Sequence, residues 1–254
     1  MGSLHNIRAI AGKELRSYFA SPTAWTMMAL FAFIFGQFFM TYLDFFAQNS
    51  MQAQGQPVNI NMNLIRPLLS NASVLVLFLL PMVTMRTYSE EKRSGTIELL
   101  LTSPLTDFEI VMGKFIGAVV LYMALLAVTG VYMLVLFRYG APEFLPIASG
   151  YLGLLLLGSC FIALGLFISS LTKSQVLAGA ATFVLALLFW IINWNADSAG
   201  PTTGAILRYL SITEHFDDFG RGVIDTTHIV FYLSFIAFGL YLTLKSVDTD
   251  RWRG

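Results

Sequence analysis

The sequence predicts an all-α integral membrane protein with six transmembrane helices. Of its 254 residues, 56% are hydrophobic and 12% are charged, whereas a soluble domain carries roughly 25% charged residues. The mean hydropathy is +0.70, and the 22 Phe, 10 Tyr and 4 Trp residues suit contact with lipid tails and with the membrane interface. The formal net charge is zero, so the composition indicates no nucleic-acid partner.

Charge-free stretches define the six spans. Each supplies the roughly 20 apolar residues that are needed to cross about 30 Å of hydrocarbon. The predicted spans are residues 23–43, 68–86, 112–137, 147–171, 175–195 and 227–245. A further charge-free stretch, Phe45–Ile65, is rich in Gln and Asn, whose amides are costly to bury in lipid. We therefore expect an external loop over residues 45–69, with no role assigned to it.

The distribution of Lys and Arg predicts the orientation. With a cytoplasmic N-terminus, eleven basic residues lie inside and four lie outside, which is the bias expected of membrane proteins. An even number of spans then places the C-terminus in the cytoplasm as well. The four outside are Arg66, Arg138, Arg208 and Arg221.

Residues 1–21 predict a helix that lies flat on the membrane, before a transmembrane domain over residues 22–254. Leu4, Ile7, Ala11 and Leu15 recur at helical spacing, with cations largely on the other faces. Ser21-Pro22 ends this helix and starts the first span. A plain membrane anchor with no further role is the alternative.

The charge is concentrated between the second and third spans, where residues 86–114 hold nine of the 30 charged residues. Mixed charges from Glu90 to Arg93 predict a short helix, and Gly95-Thr96 predicts a turn into a second one. Ser103-Pro104 ends that helix, and Thr106 with Glu109 matches a capping box that opens the third span. This stiff pattern favours a loop that docks another protein, with a solvated hairpin as the alternative.

The remaining segments carry little sign of chemistry. Residues 194–226 predict short amphipathic helices at the external surface. The three histidines, His5, His215 and His228, are far apart in sequence, so we expect neither a metal site nor a catalytic group. No phosphate-binding GxxxxGK[ST] motif occurs. Apart from Cys160 and tyrosines such as Tyr122 and Tyr132, no ionisable group lies well inside the spans, whereas ion-coupled carriers usually have one there.

Three segments carry a resemblance to a known family. The loop EEKRSGTIELLLTSPLTDFEIVMGK, Glu90–Lys114, resembles the signature loop of ABC-2 type permeases, the membrane subunits of ATP-binding-cassette transporters. KELRSYFASPTAW, Lys13–Trp25, is similar to the family's interfacial helix, and residues 209–243 are similar to its external helices and last span. Within the family the chain resembles the gliding-motility (GldF-like) permeases. His228 departs from the pattern, which has an acidic residue there.

The resemblance implies a type V exporter-like fold and a permease subunit that is not itself an enzyme. It implies a separate cytoplasmic ABC ATPase dimer that uses ATP and Mg, with no cofactor bound by this chain. It implies a second permease chain, either a copy or a homologue, and a possible membrane partner with a large external domain (GldG-like), in the bacterial inner membrane. The coupling residues implied are Glu90, Glu91, Lys92, Arg93, Gly95, Thr96 and Glu98, supported by Lys13, Glu14 and Arg16.

Two other functions fit the same sequence. A non-transporting scaffold or sensor would anchor a partner through the same loop. An ion-coupled secondary transporter would need a gradient and no ATP. The substrate, the choice between export and mechanical work, and the helices that line a pathway stay open.

Overall fold

The structure, a computed structural model, describes residues 2–52 and 58–253, and these residues form helices and turns without a strand. Eleven α-helices are described in them, and a π-helical turn, Asn61–Ile65, leads into the third. They are α1 Ser3–Ala20, α2 Pro22–Gln52, α3 Arg66–Thr84, α4 Ser89–Ser94, α5 Thr96–Leu101, α6 Asp107–Tyr139, α7 Phe144–Leu171, α8 Gln175–Ile191, α9 Pro201–Leu210, α10 Ile212–Gly220 and α11 Thr226–Arg253.

The long helices run between two polar ends of a bundle. α3 begins at Arg66, which pairs with Asp217 of α10, and its far end is followed by Met85, whose carbonyl accepts a hydrogen bond from Ser169 of α7. We call the end formed by α1, α4, α5 and the C-terminus of α11 the charged end. The opposite end, formed by α9, α10 and the start of α11, is the histidine end.

Five of the described helices are long and apolar enough to cross a membrane: α2, α3 with its helical extensions, α6, α7 and α11. The sixth predicted span corresponds to α8, which has 17 residues. At 1.5 Å per residue α8 is about 26 Å long, slightly less than the hydrocarbon thickness of about 30 Å. The count of six spans therefore stays a prediction.

The amide-rich segment is largely helical rather than a loop, which corrects the expectation for residues 45–69. α2 continues to Gln52, and the Asn59 side chain accepts hydrogen bonds from the amides of Asn61 and Met62 where the next helical turn begins. Residues 53–57 lie outside the described part. At 31 residues α2 is about 46 Å long, so its amide-rich end extends beyond the hydrocarbon, where helix and water satisfy the same groups.

The centre of the bundle is α7, whose glycines admit neighbouring side chains. A Cβ at Gly158 would collide with Tyr122 of α6, one at Gly165 with Thr84 of α3, and one at Gly153 with Phe219 of α10. Small residues let helices approach closely in membrane proteins. The glycines of α7 therefore pack within this chain and bring three other helices around it.

Candidate functional site

At the charged end, α1 lies directly on the backbone of α6. A Cβ at Gly113 would come within 2.6 Å of the Ile10 Cβ atom, and one at Gly117 within 2.9 Å of the Glu14 Cβ atom. The absence of side chains at these two positions of α6 admits the apolar face of α1, where Ile7, Ile10 and Ala11 are buried. This seat fixes the predicted interfacial helix to the third predicted span.

A buried lysine lies at the centre of this contact. The Lys114 side chain of α6 is 1% exposed, and its Nζ atom donates to Glu14 Oε1 at 2.9 Å, to Glu91 Oε1 at 2.9 Å and to the Thr87 carbonyl at 3.0 Å. The ammonium group has three N–H donors, and all three have acceptors. The ring of Tyr88 lies 5.0 Å from the same Nζ atom. A charge this deeply buried is tolerated only when it is paired and hydrogen-bonded.

The lysine joins three segments that are distant in sequence. Glu14 belongs to α1, Lys114 to α6, and Glu91 to α4 in the charged loop. Ser169 of α7 adds a fourth segment, because its hydroxyl accepts from the backbone amides of Tyr88 and Ser89. We call Lys114, Glu14, Glu91 and the Thr87 carbonyl the lysine network.

The C-terminal helix holds the loop from another side. Lys92 of α4 pairs with Asp250 of α11 at 2.6 Å. Arg251 pairs with Asp107 at the start of α6 at 2.9 Å and donates to the Leu105 carbonyl at 3.1 Å. The charged loop is therefore bound to α1, α6 and α11 by specific polar contacts.

The outer part of the loop is a pair of short helices. Gly95 joins α4 to α5 with φ +72°, a left-handed conformation that favours glycine, as the sequence predicts. The capping box of Thr106 and Glu109 is confirmed, and Asn6 of α1 donates to Glu109 Oε1 at 3.1 Å. Glu90 and Glu98 are exposed on this helix pair. It presents acidic and basic side chains to the surroundings on a rigid base.

The ten residues implied by the resemblance fall into two groups. Glu14, Glu91 and Lys92 are engaged in the contacts above, and Lys13 lies at the edge of the lysine network, 3.6 Å from Glu91. The others are exposed, and the charged ones have no ion-pair partner among the side chains that the structure describes: Glu90, Arg93, Gly95, Thr96, Glu98 and Arg16.

Sequence reasoning missed Lys114, Asp250 and Arg251 as parts of the site. One signal for Lys114 was present, because it stands beside Gly113 and close to Gly117, a small-residue spacing that indicates a closely packed helix. No signal in the sequence indicated that the C-terminal residues Asp250 and Arg251 return to the loop.

A cleft of about 300 Å³ opens beside the lysine network, between α1, α2 and α3. Hydroxyls of Ser17 and Thr23 line it, with Arg86 at one side and Met27 and Met82 on the apolar side. Tyr18 lies at its wall, 3.4 Å from the Thr87 hydroxyl, and burial raises the pKa of the Tyr18 hydroxyl, so it stays neutral. This space separates part of α1 from the neighbouring spans.

At the histidine end, two of the three histidines meet. His215 of α10 and His228 of α11 approach with 2.7 Å between their Nδ1 atoms, whereas His5 is exposed on α1 at the other end. Within residues 2–52 and 58–253 no three His, Cys, Asp or Glu residues are arranged to hold a metal ion. Arg66 and Arg221 both bind Asp217 at 2.6 Å, which fastens α10 to α3.

The chain is similar to known transporter proteins. The family described as "ABC-2 family transporter protein" matches residues 8–218, which is most of the chain. The protein named "Probable multidrug ABC transporter permease YbhR" from Escherichia coli K12 is 28% identical over 143 residues, and the protein of the same name from Escherichia coli O157:H7 gives the same values. The match covers 56% of this chain and 38% of the relative.

The family match agrees with the helical architecture and with the apolar helices that are long enough to span a bilayer. It covers α1 from Arg8, the charged loop and most of α10. This chain is a multi-pass membrane protein that belongs to the ABC-2 family of transporter permeases.

Proposed function

We propose that this chain couples ATP hydrolysis by a separate cytoplasmic ATPase to movement of its transmembrane helices. The observation that carries the proposal is the exposed α4–α5 pair on a base that the lysine network joins to α1 and α6. Family membership supports it, because permeases of ABC transporters work with a cytoplasmic ATPase subunit. ATP and Mg are used by that partner, and this chain supplies docking and motion.

The route of the motion follows from the contacts. A push on α4 acts on Lys114 of α6 through Glu91 and on α11 through the Lys92–Asp250 pair. α1 moves with them, since Glu14 binds the same ammonium group. Three long segments therefore respond together to a force on one short helix. The cleft between α1 and α2 provides space for that displacement.

The proposed docking surface consists of exposed side chains that have no ion-pair partner among the side chains that the structure describes. Glu90 and Glu98 provide negative charge and Arg93 provides positive charge, at positions exposed on the α4–α5 pair. Arg16 of α1 is exposed on the interfacial helix. Charges at the rim of an interface act more on the rate and specificity of association than on affinity.

The proposal includes an orientation and an assembly. The charged end faces the cytoplasm, supported by the excess of Lys and Arg on that side. Two permease chains form the translocation unit in the bacterial inner membrane. We include in the proposal the narrower similarity to gliding-motility permeases, with a partner that has a large external domain, which rests on the resemblance of the sequence alone.

We extend the proposal to hydrophobic or amphipathic cargo that is moved outward. The name of the Escherichia coli relative includes the term multidrug, and the predicted spans are rich in Phe, Leu and Met and poor in charged residues. Mechanical work by the same helix motion is the variant that the gliding-motility similarity favours. Uptake of a fluorescent amphipathic dye by inverted vesicles, with and without ATP, separates the two.

The test of ATPase docking is a charge reversal on exposed positions. Glu90→Arg with Glu98→Arg leaves the lysine network intact, whereas a reversal of Glu91 would also break its contact with Lys114. We expect copurification of the ATPase to fall at least about tenfold, with a change in the free energy of unfolding within about 0.5 kcal/mol. ATP-dependent vesicle transport should be lost, while an ion gradient alone should drive none.

The matched control is Glu143→Arg, an exposed glutamate that precedes α7 and lies outside the charged loop. It should leave copurification and transport unchanged. Normal copurification and transport by the Glu90→Arg, Glu98→Arg variant would contradict the docking assignment. Equal losses in the control would show that the effect comes from net charge and not from the loop.

A further inference from the structure

The histidine end holds a chain of hydrogen bonds through two imidazole rings. The Nδ1 atoms of His215 and His228 are 2.7 Å apart. The outer nitrogen of each ring has its own partner: His215 Nε2 is 2.9 Å from the Tyr209 carbonyl oxygen, and His228 Nε2 is 2.9 Å from Asp218 Oδ2. The contacts thus run from a carbonyl group through both rings to a carboxylate.

The partners fix the number of protons. A carbonyl oxygen and an ionised carboxylate only accept hydrogen bonds, so both Nε2 atoms carry a proton. A hydrogen bond between the two Nδ1 atoms requires a third proton, on one ring or the other. Two neutral imidazoles carry two protons between them, so His215 and His228 together hold one extra proton and one positive charge.

We propose that His215, His228 and Asp218 form a proton-binding site, which holds one proton between the two rings and thereby fastens α10 to α11. The site is independent of the function proposed above. Asp218 supplies the compensating negative charge that is in direct contact with the pair.

The surroundings place the extra proton on His228. His215 is 5% exposed, and its ring stacks on Phe231 with 3.9 Å between centroids. Burial lowers the pKa of His215, the neighbouring His228 lowers it further, and the Tyr209 carbonyl opposes this. His215 is therefore the neutral acceptor at Nδ1, and His228 is the imidazolium that faces Asp218.

The other charged groups near the pair are already matched. Asp217 is bound by Arg66 and Arg221, both at 2.6 Å, and Glu214 accepts from Asn193 at 2.9 Å. Arg221 lies 3.9 Å from the second oxygen of Asp218. The titratable and charged groups on the elements packed around the pair are Arg66 of α3, Tyr209 of α9, Glu214, Asp217 and Asp218 of α10, Arg221 and Asp225 in the turn, and Tyr232 of α11. Cys160 of α7 lies behind Tyr232 and contacts its carbonyl oxygen.

The distance between the rings favours a proton over a metal ion. Zinc binds histidine nitrogens at about 2.0–2.1 Å in tetrahedral geometry, which sets two ligating nitrogens about 3.4 Å apart. The two Nδ1 atoms are 2.7 Å apart, which is a hydrogen-bond distance. Asp218 binds the far side of the His228 ring and therefore points away from the gap between the Nδ1 atoms.

Holding a single proton makes the contact depend on pH in both directions. If the shared proton is lost in alkali, two nitrogen lone pairs face each other at hydrogen-bond distance. If His215 takes up a proton in acid, two N–H groups and two positive charges face each other. Either change breaks the bond between α10 and α11, so the contact exists within a window of pH.

The helix that the site fastens is an integral part of the bundle end. Phe219 of α10 is fully buried, and its carbonyl accepts from the Ser149 hydroxyl of α7 at 2.8 Å. The Ile212 carbonyl, at the other end of α10, accepts from the Tyr232 hydroxyl at 2.8 Å. We therefore expect occupancy of the proton site to change how stably α10 packs against the ends of α7 and α11.

The direct test is nitrogen NMR of the full chain in lipid nanodiscs with ¹⁵N-labelled histidine. The sequence has only three histidines, and exposed His5 is an internal reference. His215→Gln and His228→Gln assign the signals. Near neutral pH we expect three of the four ring nitrogens of the pair to carry protons. Two neutral rings, or two rings whose signals change with pH independently of each other, would overturn the proposal.

Added Zn²⁺ is the second arm of the same experiment. We expect the signals of the pair to stay in place, because the gap between the Nδ1 atoms is too short for the metal. Displacement of the shared proton by Zn²⁺, seen as loss of the imidazolium signal, would show a metal site and overturn the proposal.

Hydrogen exchange of residues 212–220 tests the link between proton and helix. In the wild-type chain we expect slow exchange near neutral pH and faster exchange at both extremes. Asp218→Asn removes the compensating charge and should speed exchange near neutral pH by about tenfold or more, since hydrogen bonds to charged groups are the stronger class. Asp197→Asn, an exposed aspartate at the same end, is the matched control and should change nothing. A flat pH profile of hydrogen exchange in the wild-type chain would overturn the link between the proton and the helix. This measurement does not depend on the folding of any variant.

Discussion

The two ends of the bundle fasten short helices to long ones by different chemistry. At the charged end, α4 and α1 are held by the buried ammonium group of Lys114 between two carboxylates. At the histidine end, α10 is held to α11 by two imidazole rings that share a proton. Fixed charges give a connection that persists over a wide range of pH, whereas a histidine pair gives one that depends on it. We therefore expect a connection that is independent of pH at the charged end and one that depends on pH at the histidine end.

The largest expected effect comes from removing the lysine. Lys114→Met leaves Glu14 buried without its counter-ion and leaves Glu91 with only the more distant Lys13, and breaking a buried pair in this way costs about 3 to 5 kcal/mol. We expect a corresponding loss of thermal stability in detergent, and release of α1 detected by proteolysis near Lys13. The triple variant Lys114→Met, Glu14→Gln, Glu91→Gln removes the stranded charges and should recover a large part of the loss. A Lys114→Met variant as stable as the wild type would contradict the role of the lysine network in holding α1, α4 and α6 together.

A smaller effect is expected from the seat of α1 on α6. Gly113→Ala places a Cβ within 2.6 Å of Ile10 and 3.2 Å of the Ile7 carbonyl, and such overpacking costs about 1 to 3 kcal/mol. Gly130→Ala is the matched control on the same helix, because nothing lies within 4 Å of its Cβ. The control should be neutral or gain up to about 1 kcal/mol through helix propensity. Unfolding in detergent followed by circular dichroism measures both, and equal effects would contradict close packing of α1.

The smallest expected effect distinguishes the ends by pH. Burial lowers the pKa of His215, so its ring binds a proton more readily when α10 has separated from α11 than when the two helices are packed together. The contribution of neutral His215 to the contact between α10 and α11 is complete above its ordinary pKa of about 6.5 and falls as the pH drops below it. Loss of the shared proton limits the contact separately, on the alkaline side of the window. Hydrogen exchange from about pH 8 to about pH 5.5 should therefore quicken in α10 and, after correction for intrinsic rates, stay constant in α1 and α4, whose network holds no histidine. Equal changes of the exchange rate in α10 and in α1 and α4 would contradict the difference between the two ends.

The helices of the charged loop could be predicted because local chemistry determines them. Gly95 supplies the left-handed turn, and Thr106 with Glu109 supplies the capping box, and both depend only on residues close in sequence. The apolar stretches predicted the long helices for the same reason. The end of α2 was misjudged, since amide composition reports how deep a segment can lie in lipid and not whether it stays helical.

The partners of the loop could not be predicted, because they come from distant parts of the chain. Lys114 meets Glu14 across 100 residues of sequence, and His215 meets His228 only once α10 folds back on α11. Periodicity and capping patterns carry no record of such pairings. The sequence therefore indicated which charged residues could meet a partner protein, but not that Glu91 and Lys92 are already engaged within the chain.

The most direct test of the proposed ATPase docking at the charged end is site-specific crosslinking in intact membranes that contain the ABC ATPase. A photo-reactive amino acid at exposed Glu98 of α5 should capture the ATPase, and capture should change when ATP hydrolysis is blocked. The same amino acid at exposed Ser198, near the histidine end, should capture none of it. Capture of the ATPase from Ser198 but not from Glu98 would contradict the assignment of the charged end.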